Sequence, residues 1–258
     1  ELRTLTGYVS AAARAARILP TMLGSDRPQR YFIGMQTEAE MRGNGGLPGG
    51  FAIAVASHGT VRFTHFESDA ALEPVATNHR VQTGLDFGAQ YRAAYAQSLP
   101  TTSFFNSNVS PNFPYAAQIW SRMWEQVSGE HVDGAVAVDP TVLGYVLAAT
   151  GPVRLPSAMV IDAQNVVSLT EREEYTMFND NLARKAFLVA VLKASSHALI
   201  SGRGDANELA RLMVTASEQQ RLQVWSANSA IQKELAATSY DAVVVPTPRP
   251  LIATVLNN

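Results

Sequence analysis

The run GFAIAVAS at residues 50–57 constrains this chain more than any other stretch. It is almost wholly apolar, and a strand with no polar face belongs in the interior of a sheet rather than at its rim. It is flanked by two more strand-like segments, RYFIGM at 30–35 and TVRFTHF at 60–66. The second of these sets Val61, Phe63 and His65 against Arg62, Thr64 and Phe66, and SHGT between it and the apolar run is the length of a hairpin connection.

Helical patterns surround these strands. Residues 9–19, VSAAARAARIL, are alanine-rich and are expected to form a helix that stops at Pro20. Helical spacing returns from Asp86 to Gln97 and from Tyr115 to Val127, where Ile119, Trp120, Met123 and Val127 share a face; the two bracket a 17-residue polar loop at 98–114. VDGAVAVDP at 132–140 is a strand that runs into a helix capped by Asp139, started by Pro140 and closed by Gly151. Two helices follow, VVSLTEREEYTMFND and NLARKAFLVAVLKASSHALISG, and then DANE at 205–208 fits a capping box. That makes the RGD triplet at 203–205 a helix start rather than an adhesion signal. LQVWS (222–226) and DAVVVP (241–246) read as strands around a helix at 227–237. Strands and helices alternate, so the expected architecture is a single α/β domain over residues 1–258, a sheet with helices on both faces. Residues 1–20 supply an N-terminal helix, and 247–258 an extended segment that could lead into a further domain.

Composition excludes several functions. Charged residues make up only 16% and the formal net charge is −2, so no global field draws in nucleic acid or an acidic membrane. With no cysteine there are no disulfides, thiolate zinc sites or cysteine nucleophiles, and the redox compartment is left open. Motifs for serine-hydrolase elbows, zinc peptidases, Walker loops and dinucleotide binding are absent, and the five histidines show no i, i+4 pairing. Arginine outnumbers lysine 17 to 3, which reflects either codon usage or a need for the guanidinium fork that grips phosphate and carboxylate.

Two stretches carry candidate chemistry. MQTEAEMRGNGGLPGG, residues 35–50, is expected to be a loop at the carboxyl end of a strand, where open α/β sheets bind ligands. Gln36, Glu38, Glu40, Arg42 and Asn44 recur every second residue and would point to one side if extended. The glycines would let backbone amides approach an anion, Arg42 would grip it, and Glu40 would hold a divalent ion or orient the arginine. The alternative is a solvated surface loop with an internal Glu40–Arg42 pair. The second stretch, TTSFFNSNVSPNFPYAAQIW, mixes Asn106, Ser107, Asn108 and Ser110 with Phe104, Phe105 and Phe113, as suits a sugar or an isoprenoid-linked head group. An ordinary turn before a helix has the same composition.

The blocks QRYFIGMQTEAEMRGNGGLPGGFAIA, NSNVSPNFPYAAQIW, VDGAVAVDPTVLGYVLAATGPV and GRGDANELARLMVTASEQQRLQVWSAN, in that order, resemble the DUF4012 family from about residue 20 onward. That resemblance implies an extracytoplasmic domain of bacterial, often actinobacterial, proteins, anchored through a membrane helix that this chain does not contain. The same blocks resemble more distantly the LytR-CpsA-Psr family, which attaches polyprenyl-pyrophosphate-linked glycopolymers to the cell wall. This second resemblance implies a three-layer α/β/α domain with a mixed central sheet. It also implies Glu40, Arg42 and Asp69 as catalytic residues, with Mg2+ on Glu40 and Asp69. Gln36, Asn44, Arg80, Arg92, Asn106 and Asn108 would bind substrate. The expected partners are a lipid-linked or phosphorylated glycopolymer and cell-wall glycan, not nucleic acid. One departure stands out: the family's Pro-Arg-Asp after the third strand is ESDAAL here, which keeps Asp69 and loses the arginine, so phosphate would need Arg42, Arg80 or Arg92 instead. Two rival functions are a non-catalytic envelope-binding or scaffolding domain, and a glycosidase using two of Glu38, Glu40, Asp69 and Asp139.

Overall fold

The computed structural model describes residues 13–73 and 82–241. Its strands are β1 (Gln29–Met41), β2 (Gly46–Ser57), β3 (Thr60–Ser68), β4 (Gly134–Val138), β5 (Val153–Arg154), β6 (Val160–Ile161) and β7 (Gln223–Ser226). Five of them form one sheet in the order β3-β2-β1-β4-β7, and β5 pairs with β6 as a separate ribbon. β1 is parallel to β4 while the other pairings in the large sheet are antiparallel, so the sheet is mixed. The apolar β2 lies one place from the centre, which β1 occupies.

Helices cover both faces. They are α1 (residues 13–22), α2 (Ala89–Tyr95), α3 (Phe113–Ser128), α4 (Pro140–Thr150), α5 (Val166–Ser168), α6 (Glu174–Met177), α7 (Asn181–Ile200), α8 (Ala206–Glu218) and α9 (Ser229–Leu235). A π-helical turn, Leu169–Glu173, joins α5 to α6. Alternation along the strands divides the core. Phe32, Phe51, Ile53, Ala135 and Ala137 face Trp120, Met123 and Trp124 of α3. Met35, Ala52 and Val138 face α4, α7 and Ala216 of α8 on the opposite side. This is the expected three-layer α/β arrangement. Gly34 is essential to the first face, because a Cβ there would sit 2.5 Å from the Trp120 ring. Trp120 is wholly buried against Phe32, Phe104 and Phe113, and its indole N–H donates to Ser107 Oγ at 2.7 Å.

The helix caps read from sequence are in place. Asp139 accepts from Val142 N at 2.9 Å, and Asp205 accepts from Asn207 N at 2.8 Å and Glu208 N at 3.1 Å. Glu208 completes no box and instead grips Arg211.

Other expectations need correcting. The first helix does not stop at Pro20 but continues to residue 22, because proline removes only its own donor; Leu23 N still reaches Leu19 O at 2.8 Å, and Gly24 at φ +77° ends the helix. Residues 36–41 are not a loop: β1 runs on to Met41, and the true turn is residues 42–45. Residues 1–12, most of the expected strand at 241–246 and the segment 247–258 lie outside the described residues.

The glycines of this hairpin have steric work. A Cβ on Gly46 would lie 1.7 Å from Thr37 O, and one on Gly43 1.9 Å from Val109 O, so each permits a backbone crossing rather than cradling an anion. Gly46→Ala is expected to cost about 1–3 kcal/mol, as overpacking does. The loss should be read as a lower urea midpoint with an unchanged slope.

Candidate functional site

The mixed sheet brings one set of chain segments to one end. The carboxyl ends of β1, β3 and β4 point the same way, and the starts of β2 and β7, being antiparallel, meet them there. A cleft of about 370 Å³ opens at this end, the size of a small-ligand site. Its walls include Thr37, Glu40 and Arg42 of the first hairpin, Asp69 after β3, Phe105 and Asn106 of the long loop, Glu174 and Tyr175 of α6, and Arg184 and Lys185 of α7.

Arg42 is half-buried and held by carbonyls: its Nε donates to Phe105 O at 3.0 Å and a terminal nitrogen to Met41 O at 3.0 Å. Phe105 is itself fixed, because Glu73 accepts from Phe105 N at 2.7 Å and from Ser103 Oγ at 2.8 Å. Arg184 lies over the Tyr175 ring, 4.7 Å from its centre, and donates to Asn181. Among the described residues neither guanidinium forms an ion pair, and both line a cleft that also holds Glu40, Asp69 and Glu174. Lys185 Nζ lies 2.7 Å from Asp69 Oδ1 and 5.1 Å from the centre of the Phe105 ring. Asp69 is wholly buried; burial pushes its carboxyl up, and Lys185 opposes that.

Glu174, like Arg184 and Lys185, is a cleft residue that the sequence did not single out. It is 2% exposed, and its Oε2 has no hydrogen-bond partner among the described residues. Burial pushes its carboxyl up to about 7, with Glu40 and Glu171 adding to the rise and Arg184 opposing it. Thr37 Oγ1 in the same wall is also unpartnered. Buried polar atoms without a partner beside one cleft leave hydrogen-bonding capacity there that a polar ligand could use.

Of the residues expected to form a site, Arg42, Glu40, Asp69 and Asn106 share this cleft. Asn106 also ties the loop down by donating to Ser98 O at 2.8 Å. The others go elsewhere. Gln36 is buried and donates to Asn44 Oδ1 at 3.1 Å, while Asn44 donates to Pro111 O at 3.1 Å, and a register shift between Met35 and Gln36 breaks the two-residue alternation that would have aligned them with Arg42. Asn108 is buried and donates to the carbonyls of Asn44 at 2.8 Å and Gly46 at 2.7 Å, stitching loop to hairpin. Arg92 pairs with Asp86 on the surface. Arg80 lies outside the described residues. Glu40 does not pair with Arg42; it accepts from Tyr175 Oη at 3.4 Å.

A second charged cluster adjoins at the same sheet end. Arg221, just before β7, donates to Glu38 at 2.9 Å and to the helix cap Asp139 at 2.6 Å. Burial works against the Arg221 charge, yet Glu38 and Asp139 hold its pKa above the ordinary arginine value. The π turn brings Glu171 close, and burial, with Glu38 and Asp139, pushes its carboxyl up to about 7. Glu38, Asp69 and Asp139 are therefore all ion-paired, which leaves Glu40 alone of the four carboxylates named for a glycosidase.

These residues do not fit a Mg2+ site. Asp69 already meets the Lys185 ammonium, and the described residues contain no cluster of three His, Cys, Asp or Glu side chains able to hold a metal. No helix among them is long and apolar enough to cross a membrane.

The family model described as "Protein of unknown function (DUF4012)" matches residues 26–175. No curated protein matches the chain. Among solved structures it is similar to TagV of B. subtilis, at 13% identity and a TM-score of 0.39 over 83% of this chain and 82% of that one. It is also similar to protein gbs0355 of Streptococcus agalactiae, at 13% identity and a TM-score of 0.44 over 86% and 75% of the two chains. A third is yvhJ of Bacillus subtilis, titled a transcriptional regulator, at 13% identity and a TM-score of 0.39 over 81% and 77%. Likenesses this loose assign no ligand.

Proposed function

This chain belongs to the DUF4012 family, and we propose that it is an extracytoplasmic cell-envelope domain whose cleft binds the phosphate-bearing head group of a polyprenyl-linked glycopolymer and passes that polymer to cell-wall glycan. The observation that carries the reading is the pair of guanidiniums, Arg42 and Arg184, that face one cleft with no carboxylate partner among the described residues. Arginines without an ion-pair partner at a concavity suit phosphate oxygens; Arg42 keeps one terminal nitrogen free for them while its Nε and other terminal nitrogen stay on protein carbonyls. Lys185, paired with Asp69, adds a third cation to the lining, and Arg184 and Lys185 would take over the part of the missing Pro-Arg-Asp arginine. A volume of about 370 Å³ takes a head group rather than a whole prenyl tail.

The chemistry this arrangement favours is displacement at phosphorus. An acceptor hydroxyl attacks the phosphorus that carries the sugar, a new P–O bond forms, and the bond to the polyprenyl phosphate breaks. The hydroxyl proton goes to the Glu174 carboxylate. A carboxyl near 7 suits that role, because it is partly ionised at neutral pH yet a stronger base than an ordinary glutamate. Arg42, Arg184 and Lys185 offset the charge that builds on the phosphoryl oxygens and on the departing phosphate.

The test is titration calorimetry and product analysis with a short-chain polyprenyl-pyrophosphate-linked disaccharide. Arg42→Ala is expected to weaken binding by about 10- to 100-fold, the scale of charge-assisted hydrogen bonds. Unchanged affinity would remove the head-group reading. The second reading, a binding domain without turnover, draws on the lost arginine after β3 and on Asp69 being occupied by Lys185. It requires that the wild type retain the compound intact, whereas a transferase releases polyprenyl phosphate when an acceptor glycan is supplied.

A further inference from the structure

A second cleft, of about 460 Å³, lies between the segment 150–156 and the carboxyl-terminal half of α7. Its ionisable lining is entirely basic: Arg154, Lys193, His197 and Arg203, with no Asp or Glu among the lining residues. That is unexpected in a chain whose formal net charge is −2. Among the described residues, Arg154, Lys193 and Arg203 form no ion pair. Lysine is scarce, only three in the chain, yet Lys193 lines this cleft and Lys185 the other.

The frame under these charges is fixed. Gly204, at φ +97°, approaches the end of α4 so closely that a Cβ would lie 2.1 Å from Ala149 O, and Asp205 N donates to that same carbonyl at 3.2 Å. The turn carrying Arg203 is thus tied to the segment that leads to Arg154. Arg154 donates to Ala158 O at 2.8 Å, and Lys193 Nζ and the His197 ring both rest against Phe66, at 5.9 and 5.7 Å from its centre.

From this geometry we infer that the second cleft is a binding site for an extended polyanion without bases, such as a phosphodiester- or uronate-bearing glycan. Arg154, Lys193, His197 and Arg203 are all exposed and are spread over three segments rather than converging on a point, so they suit charges repeated along a chain better than one phosphate. Nucleic acid is disfavoured because the lining offers no Phe, Tyr or Trp on which bases could stack, and the nearby Phe66 is covered by Lys193 and His197. Lys185 and Lys193 are two turns apart on α7, about 12 Å along the helix axis. A polymer whose head group lies in the first cleft would therefore lay its next anionic repeats over the second. That last alignment rests on the proposed function; the anion site does not.

The test is fluorescence anisotropy with long-chain inorganic polyphosphate, inorganic phosphate and an oligothymidylate of matched charge. Wild type should bind polyphosphate with affinity that falls steeply as salt rises, and should bind inorganic phosphate at this cleft far more weakly. Arg154→Glu combined with Lys193→Glu should weaken polyphosphate binding by about tenfold or more and flatten the salt dependence, as loss of two phosphate-contacting cations does. Both side chains are exposed, so an unchanged melting temperature will show that the variant is folded. Arg42→Ala, in the first cleft, should leave most of this binding intact, so the two clefts fail or succeed separately. The inference is overturned if the double variant binds polyphosphate like wild type, if only Arg42→Ala abolishes binding, or if oligothymidylate binds more tightly than polyphosphate.

Discussion

Glu174→Gln is expected to make the protein more stable at pH 8, by about 2–3 kcal/mol, while abolishing transfer. The reasoning starts from burial. The folded protein keeps the Glu174 proton up to a pH of about 7, whereas an ordinary glutamate releases it near 4.5. Between those values the folded state binds more protons than the unfolded state, so stability falls as pH rises through this window and is lowest above it. The gap between the two values corresponds to about 3 kcal/mol when fully expressed. Glutamine keeps the shape and cannot ionise, so the variant should match wild type near pH 4 and exceed it at pH 8. Urea unfolding at the two pH values measures this directly. Equal stabilities at both would mean that Glu174 is solvated and ionises normally. A buried carboxyl with a raised pKa beside a cleft is a candidate for contact with a ligand.

Lys185→Met should act in the opposite direction and more strongly. It removes the ammonium from a carboxylate that is itself wholly buried, and breaking such a pair from one side costs about 3–5 kcal/mol. The loss should be large at pH 8 and should shrink on acidification, because burial already pushes the Asp69 carboxyl up and the orphaned group can take up a proton. Adding Asp69→Asn to Lys185→Met should restore most of the stability at pH 8. A loss that is independent of pH and unrelieved by the second substitution would show that Lys185 contributes packing alone. In either background the cleft loses a cation, so head-group affinity should stay low even where stability returns.

The sheet was legible because its signals are local. The apolar run in β2, the alternation in β3 and the Asp139 and Asp205 caps each depend on neighbours within a few residues. The end of β1 was not. Gln36, Glu38 and Glu40 put charge and polarity on every second position, and from Ala39 to Met41 the strand is exposed beyond the core; that pattern reads as loop. Register shifts in the β1–β2 pairing then separated the alternating polar residues: Gln36 and Asn44 turn inward to each other, Glu38 meets Arg221, and Glu40 and Arg42 stay at the cleft. Arg184, Lys185 and Glu174 arrive from more than a hundred residues away, and no spacing in the sequence announces them. One signal was available: in a chain with 17 arginines and three lysines, each lysine is a choice that codon usage does not explain, and two of the three line clefts.

The most direct measurement is a crystal structure with a short-chain polyprenyl pyrophosphate. The phosphates are expected between Arg42, Arg184 and Lys185, within hydrogen-bonding distance of both guanidiniums and beside the Glu174 carboxyl. Phosphate density away from this cleft, with both arginines still turned to their present protein partners, would contradict the account.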